Sequence, residues 1–158
     1  MDDRLFRNAM GKFATGVTVI TTEHEEQVHG MTANAFMSVS LDPKLVVISI
    51  GEKARCLQKI QESRVFAVNI LAEDQQDLSM IFAGQKKDEV IEVQFEQLAG
   101  LPVLPDAIAQ VSCDVVSEYV EGDHTLFIGK VRDIRINDDK EPLLFYAGKY
   151  RALQTITV

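Results

Sequence analysis

The sequence predicts a mostly β, largely antiparallel and barrel-like fold with two or three short helices, and three observations predict it. Roughly six or seven apolar segments rich in β-branched residues run along the chain. Helical periodicity is confined to the start and the middle, so the regular strand–helix alternation of a doubly wound sheet is missing. Neither GxGxxG nor a GxxxxGK followed by Ser or Thr occurs, so no Rossmann or P-loop phosphate site is signalled. A length of 158 residues favours one domain, and neither a linker nor an internal repeat divides residues 1–158.

The elements follow in order. Asp2 or Asp3 can cap a first helix on which Leu5, Phe6, Ala9, Met10 and Phe13 share a face, with Gly11 and Gly16 bounding its end. Ala14–Thr22 (ATGVTVITT) reads as a buried strand and Glu23–Gln27 as a polar turn. Val28–Ser40 is mixed, part strand and part irregular. Asp42–Pro43 signals a turn before the strand Lys44–Ile50. Lys53–Glu62 reads as a short helix with Leu57 and Ile60 inward, and Arg64–Leu71 as a strand. Glu73–Phe82 reads as a helix with Leu78, Ile81 and Phe82 inward, ended by Gly84. Gln85–Val90 is a charged surface loop, and Phe95–Leu104 is irregular or short strand.

Ile108–Val120 is a long strand in which Val111, Cys113 and Val115 alternate with Gln110, Ser112 and Asp114. Val116, Glu118 and Val120 then continue in shifted phase, which predicts a bulge. Gly122–Asp123 turns the chain into a strand over Thr125–Ile136, with Arg132, Asp133 and Arg135 exposed. Pro142–Ala147 is a last short strand.

Composition narrows the function. A net charge of −8 argues against a nucleic-acid partner, which needs an excess of Lys and Arg. Cys56 and Cys113 form no CxxC and no metal-ligand spacing, and read as free thiols of a reducing compartment. The opening MDDRLFRNAMGKF lacks the apolar core of a signal peptide, and no apolar run approaches membrane-spanning length. The expected location is the cytosol. A hydrolase has no support, because no nucleophile elbow surrounds any serine.

Four places can carry chemistry. In Thr32–Ser40 (TANAFMSVS), hydroxyl and amide groups at Thr32, Asn34, Ser38 and Ser40 could line one wall, with Ala33, Ala35, Met37 and Val39 on the other. Small residues at 33 and 35 would admit a flat ring close to the backbone; the same pattern also suits an edge strand with a solvated polar face. In Gly51–Leu57 (GEKARCL), Lys53 and Arg55 flank a helix start that can cradle an anion, with Ser38, Ser40 or Ser49 nearby. A solvated basic patch reads equally well there. His124, after Gly122–Asp123, can reach a ligand from a turn, although a lone His is more often structural. In Phe145–Tyr150 (FYAGKY), followed by Arg151, the two tyrosines around Ala147–Lys149 can form a ledge for a second ring or simply anchor the C-terminal aromatics in the core or at a subunit interface.

Taken together, these segments resemble the flavin reductase-like family, the short-chain reductases that supply reduced flavin to two-component monooxygenases. The resemblance runs from FATGVTVITT (Phe13–Thr22) through GMTANAFMSVSLDPKLVVISI (Gly30–Ile50) and GDHTLFIGKV (Gly122–Val131) to YAGKYRAL (Tyr146–Leu153). It implies a split β-barrel, antiparallel and Greek-key-like, in a homodimer with the flavin near the subunit interface. The implied activity is hydride transfer from NADH or NADPH to FMN or FAD, which supplies a partner monooxygenase.

By the same resemblance, Thr32, Ala33, Asn34, Ala35 and Phe36 contact the flavin ring and ribityl chain, and Ser38 and Val39 extend that wall. Lys53, Ala54 and Arg55 bind phosphate, with Ser49 beside them. Phe82 packs near the flavin, His124 lies beside the nicotinamide, and Lys149 and Tyr150 are further candidates there. Two departures stand out: the family often carries Ser at the position of Ala35, and the loop with Gln85 and Lys86 is poor in glycine. The alternatives are a tight FMN-binding or redox-sensing module that reduces no free flavin, an amine oxidase of the pyridoxamine-phosphate type, and a structural β-domain without ligand.

Overall fold

The computed structural model describes residues 1–85 and 92–157. Lys86–Val90 of the expected charged loop lie outside the described residues. In chain order the elements are α1 (Asp3–Met10), β1 (Thr15–Gly16), β2 (Thr18–His24), β3 (Gln27–Ala33), β4 (Phe36–Leu41), β5 (Lys44–Gly51), α2 (Arg55–Ser63) and β6 (Val65–Ile70). A 3-10 turn, Glu73–Gln75, leads into α3 (Gln76–Phe82). Then come β7 (Glu96–Leu98), β8 (Leu101–Val103), β9 (Ala109–Glu121), β10 (His124–Ile136), β11 (Leu144–Tyr146) and β12 (Lys149–Arg151).

Seven strands form one sheet in the order β3-β2-β6-β9-β10-β5-β4, with every neighbouring pair antiparallel. Alternate apolar residues from its inner strands, most of them β-branched or aromatic, meet in one core: Ile20, Ile48, Ile50, Phe66, Val68, Val111, Cys113 and Phe127. Met31 and Ala33 of β3 and Phe36 of β4 pack on that same core. Both sheet edges therefore face one interior, and the sheet curls into a barrel left open between β3 and β4. This is the mostly β, antiparallel fold that the sequence predicts. Helix α2 lays Cys56 and Ile60 on the core. Burying Phe66 and Phe127 completely contributes about 2–3 kcal/mol each as an upper value.

A second cluster holds the elements around the candidate site. Val17, Val19, Leu71, Leu104 and Leu143 are buried there, with Leu78 and Phe82 of α3 and Phe145 and Tyr150 of the β11–β12 hairpin packed against them.

Several local readings hold. Asp2 caps α1, its carboxylate accepting from the Arg4 N–H at 3.0 Å. The bulge in β9 is where the phase shift predicts it: Ser117 pairs with Ile128 and Val115 with Gly129, which leaves Val116 over. Others change. The apolar face of α1 enters no core, with Leu5, Phe6, Met10 and Phe13 between 55% and 80% exposed. The segment Val28–Ser40 breaks at Asn34–Ala35, where the chain crosses from one barrel edge to the other. Thr32 and Ser38 thus lie on opposite edges, and a bulge separates Ser38 from Ser40. The four polar residues of that segment do not form one wall.

Candidate active site

The break between β3 and β4 organises the site. Thr18 fixes the end of β3 by donating its hydroxyl to the Ala33 carbonyl at 2.6 Å. The chain then turns tightly, with the Phe36 N–H donating to the Asn34 carbonyl at 3.0 Å. The Ala35 carbonyl accepts from the Ser49 N–H of β5 at 3.2 Å. Both carbonyls of the link are engaged. Among the described residues, the N–H groups of Asn34 and Ala35 and the Asn34 side chain make no hydrogen bond to the protein. Both residues are exposed.

Three clefts meet at Asn34. One of about 190 Å³ is lined by Thr32, Ala33, Ser79, Gln85, Phe145 and Tyr150, among others. Another of about 250 Å³ runs past Thr15, Thr18 and Phe36. The largest, about 690 Å³, lies under α1 and is lined by Phe6, Met10, Phe13, Phe145 and the hairpin turn Ala147–Gly148. The hydroxyl of Thr15, which borders two of these clefts, is buried without a partner in the described protein.

Around the first cleft the aromatic groups are ordered. Tyr150 and Phe145 meet edge to face, with ring centroids 5.4 Å apart. The Tyr150 hydroxyl shares a hydrogen bond of 2.7 Å with Ser79 Oγ, and Thr32 Oγ1 donates to the Ser79 carbonyl at 2.6 Å. Phe82 sits elsewhere. Its ring lies over Gly30, where an added Cβ would be 2.7 Å from Phe82 Cε1, and edge-on to Phe95.

A second group gathers at the end of β5. His124 pairs with Gly51 across the ladder, and its ring covers that glycine: a Cβ there would lie 3.6 Å from His124 Nε2. Nδ1 of His124 is 2.7 Å from Asp123 Oδ1, a bond that holds the Asp123 carboxyl below the usual carboxylate range, helped by the charges of His124 and Lys53. When Nδ1 donates there, Nε2 is left to face a ligand. The following loop is pinned by the Glu52 N–H to the Asp123 carbonyl at 2.9 Å and the Ala54 N–H to the Gly51 carbonyl at 3.0 Å. Ala54 is the N-cap of α2 and supplies no capping side chain. The first turn of α2 thus presents uncapped N–H groups and the positive end of the helix dipole. Lys53 and Arg55 flank it, exposed and without an ion pair among the described residues.

The sequence profile of the flavin reductase like domain family matches residues 10–154. The chain belongs to this family. It is 46% identical over 153 residues to an NADH-dependent flavin reductase from Rhodococcus sp, an alignment covering 95% of this chain and 86% of that one. It is 35% identical over 148 residues to a 4-hydroxyphenylacetate 3-monooxygenase reductase component from Thermus thermophilus, covering 94% and 95%. Among solved structures it superimposes on the flavin reductase PheA2 with a TM-score of 0.95 at 67% identity, covering 98% of this chain and 100% of that one.

The geometry suits the family's ligands. A flavin needs hydrogen-bond donors beside a small-residue surface, and a phosphate needs free N–H groups with local positive charge. The Asn34–Ala35 link offers the former and the Lys53–Arg55 helix start the latter. Ser49 lies between them, bonded to Ala35 and two residues before Gly51. Ser38 and Val39 continue from Phe36 along the exposed edge β4. Lys149, exposed on β12, lines none of the three clefts. His124 and Tyr150 belong to different groups in one chain. Phe145 belongs to the segment Phe145–Tyr150 that the sequence singles out, whereas neither Ser79 nor Thr15 is marked there as a site residue. A serine beside the inward positions Leu78, Ile81 and Phe82 was the only signal for Ser79. Among the described residues no side-chain cluster could hold a metal ion, and no helix is long and apolar enough to cross a membrane.

Proposed function

We infer that this chain is an NADH-dependent flavin reductase that acts on FMN or FAD and supplies reduced flavin to a partner monooxygenase. The observation that carries this reading is the pair of unused N–H donors at Asn34 and Ala35, set in exposed small-residue backbone where three clefts meet. When bound, the two cofactors supply the hydride chemistry themselves, from nicotinamide C4 to flavin N5. The chain's part is to bind and orient. Thr32, Ala33, Asn34, Ala35 and Phe36 hold the flavin ring and ribityl chain, with Ser38 and Val39 extending that wall. The Asn34 and Ala35 donors favour the negative charge that reduction brings. Lys53, Ala54 and Arg55, with Ser49, hold the phosphate. His124 orients the nicotinamide, and Tyr150 holds the hairpin wall of the cleft beside Asn34. Phe82 supports the site from beneath by fixing α3 on Gly30.

The reading includes a homodimer. Met37, Val39 and Leu41 on β4, Tyr119 and Val120 on β9, and Ile134 and Ile136 on β10 are large apolar residues between 47% and 86% exposed. So many exposed apolar groups on one sheet favour a second copy as cover. Light scattering of the purified chain at about twice the 17.6 kDa protomer mass supports this, and a monomer overturns it. Cys56 and Cys113, both buried and free, support a reducing, cytosolic location.

The deciding experiment pairs NADH and NADPH with FMN and FAD. NADH oxidation that rises and saturates with added flavin supports the reading. Tight FMN binding without stimulation by free flavin supports the binding module instead.

A further inference from the structure

Ser79 is fully buried in α3, yet both of its polar groups are spent on other elements. Its carbonyl accepts from Thr32 Oγ1 of β3 at 2.6 Å while also closing the helix to the Ala83 N–H at 3.0 Å. Its hydroxyl bonds Tyr150 of β12 at 2.7 Å. One residue thus joins the strand that leads into Asn34 to the hairpin on the far side of the cleft.

That hairpin packs Phe145 and Tyr150 on the second cluster and is led in by the Leu143 N–H to Leu71 carbonyl bond at 3.0 Å, but its strand pairing is short. Among the described residues β12 pairs only with β11, over three residue pairs, and β11 pairs with β1 over two. An isolated two-stranded hairpin is marginal in water. The Ala147 N–H to Gly11 carbonyl bond, 2.9 Å, secures its turn, and the Phe145–Tyr150 edge contact acts within the hairpin itself. Beyond Arg151, residues 152–157 are exposed and carry no regular structure.

We propose that Ser79 is a positioning residue of the reaction: through its bond to Tyr150 it sets the β11–β12 hairpin against β3 and so fixes the cleft wall that receives the nicotinamide. The proposal rests on the reading of the site given under Proposed function. Ser79 stands behind the cleft wall, itself fully buried, so it acts through Tyr150 and Thr32. Losing its hydroxyl loosens the hairpin side of the cleft and leaves the Asn34–Ala35 link and the Lys53–Arg55 phosphate end in place. The loss therefore falls on nicotinamide binding and spares flavin binding.

The test uses the full chain and four variants: Ser79→Ala, Tyr150→Phe, the double variant, and Ser79→Thr, which keeps a hydroxyl. Amide hydrogen exchange without ligand reads the hairpin directly. In Ser79→Ala and Tyr150→Phe, amides of residues 145–151 should exchange at least tenfold faster, with those of β9 unchanged. In steady state the KM for NADH should rise at least fivefold, while kcat and the dissociation constant for FMN stay within twofold. The double variant should match the weaker single within twofold, because both remove one bond, and Ser79→Thr should return KM to within threefold of the parent.

An unchanged KM for NADH in both single variants overturns the proposal, even where their melting temperatures fall. A double variant whose losses multiply does the same. Should Ser79→Ala fail to fold, ligand-free amide exchange in Tyr150→Phe decides: no acceleration at residues 145–151 overturns the proposal. A parent chain that oxidises no NADH with either flavin overturns the site reading and this proposal together. A parent that turns over normally beside unaffected variants overturns this proposal only.

Discussion

Two glycines, Gly30 and Gly129, separate a perturbation of the site from a perturbation of the barrel. Neither has a positive φ, so alanine is conformationally allowed at both, and the outcome depends on space. At Gly30 the added methyl would lie 2.7 Å and 2.8 Å from Phe82 Cε1 and Cδ1, whereas the nearest backbone atom, the Ile20 carbonyl, is at a comfortable 3.6 Å. Carbon atoms settle at about 3.5–4.0 Å, so the Phe82 ring must withdraw by about 1 Å. The ring is half-buried and can move, taking the end of α3 with it. At Gly129 the methyl would lie 2.5 Å from Phe66 Cζ and 2.9 Å from Cys113 Cβ, and both residues are fully buried.

Overpacking costs about 1–3 kcal/mol, with Gly30 at the lower end and Gly129 at or above the upper end. Replacing glycine restricts the unfolded chain and returns about 0.5–1 kcal/mol at each. The net is about 0–1.5 kcal/mol for Gly30→Ala and about 2 kcal/mol or more for Gly129→Ala. At about 2–4 °C per kcal/mol for a chain of this size, melting falls by up to about 6 °C in the first and by about 4–8 °C or more in the second. Activity should invert the order. Gly30→Ala shifts α3 and raises KM for NADH; Gly129→Ala, measured well below its melting point, leaves KM within twofold. Differential scanning fluorimetry and steady-state kinetics read both. If Gly30→Ala melts lower than Gly129→Ala, or if the KM effect belongs to Gly129→Ala, the packing argument is wrong.

Other outcomes follow from the same geometry. Removing both Lys53 and Arg55 as alanines should weaken FMN by about 2 kcal/mol, taking the upper value for exposed ion pairs, or roughly 30-fold, and leave riboflavin unchanged in fluorescence titration. Equal losses for both flavins would place the phosphate elsewhere. His124→Ala should raise KM for NADH about fivefold, the worth of one hydrogen bond, with FMN affinity within twofold; no change in turnover or KM rules out its orienting role. Arg132 grips Asp114 through Nε at 2.8 Å and through Nη2, and this bond depresses the Asp114 pKa. Stability from a depressed carboxylate is full above its unfolded pKa, near 4, and is lost as pH falls through the lower folded value. Asp114→Asn should therefore cost about 0.5–1 kcal/mol at pH 7, discounted because the pair is part-exposed, and progressively less below pH 4 in urea titrations. Burial pushes Cys56 up to about 11 and Cys113 up to about 12. At pH 8 a thiol reagent should label neither in the folded chain and both in denaturant; rapid native labelling contradicts the burial.

The sequence made the strands legible wherever a short window holds the whole signal. The β-branched run before His24, the shifted phase at Val116 and the Asp2 cap are all local patterns, and all three hold. What escaped depends on distant partners. Gln110 and Ser112 look like the polar face of an ordinary strand, but both are buried, Gln110 donating to the Leu104 carbonyl and Ser112 to the Leu98 carbonyl at 2.7 Å. The segment that receives them, the small sheet β7–β8 and Leu104 just after it, carries no strong periodicity of its own. Ser79 escaped for the same reason, since its partners stand 47 and 71 residues away. The TANAF segment was singled out correctly as unusual, but its even spacing suggested one wall where the chain in fact changes edges.

That change of edges explains why the candidate site falls where it does. In the seven-stranded sheet only β3 and β4 lack a second neighbour, and they are consecutive in sequence. The link that crosses the opening, Asn34–Ala35, is too short to continue either ladder. Among the described residues it satisfies its carbonyls with Phe36 and Ser49 while its N–H groups take no partner. Open edges invite pairing with another chain, and natural sheets usually blunt them with charge or proline. Here the opening carries neither; alanine, asparagine and threonine stand on it instead. A small-residue edge with unspent donors is a poor barrier to aggregation but a good seat for a flat, acceptor-rich ring, and a bound ring would itself cover the exposed backbone. On this argument the bound flavin protects the seam, so saturating FMN should slow exchange of the Asn34 and Ala35 amides more than that of any amide in β9.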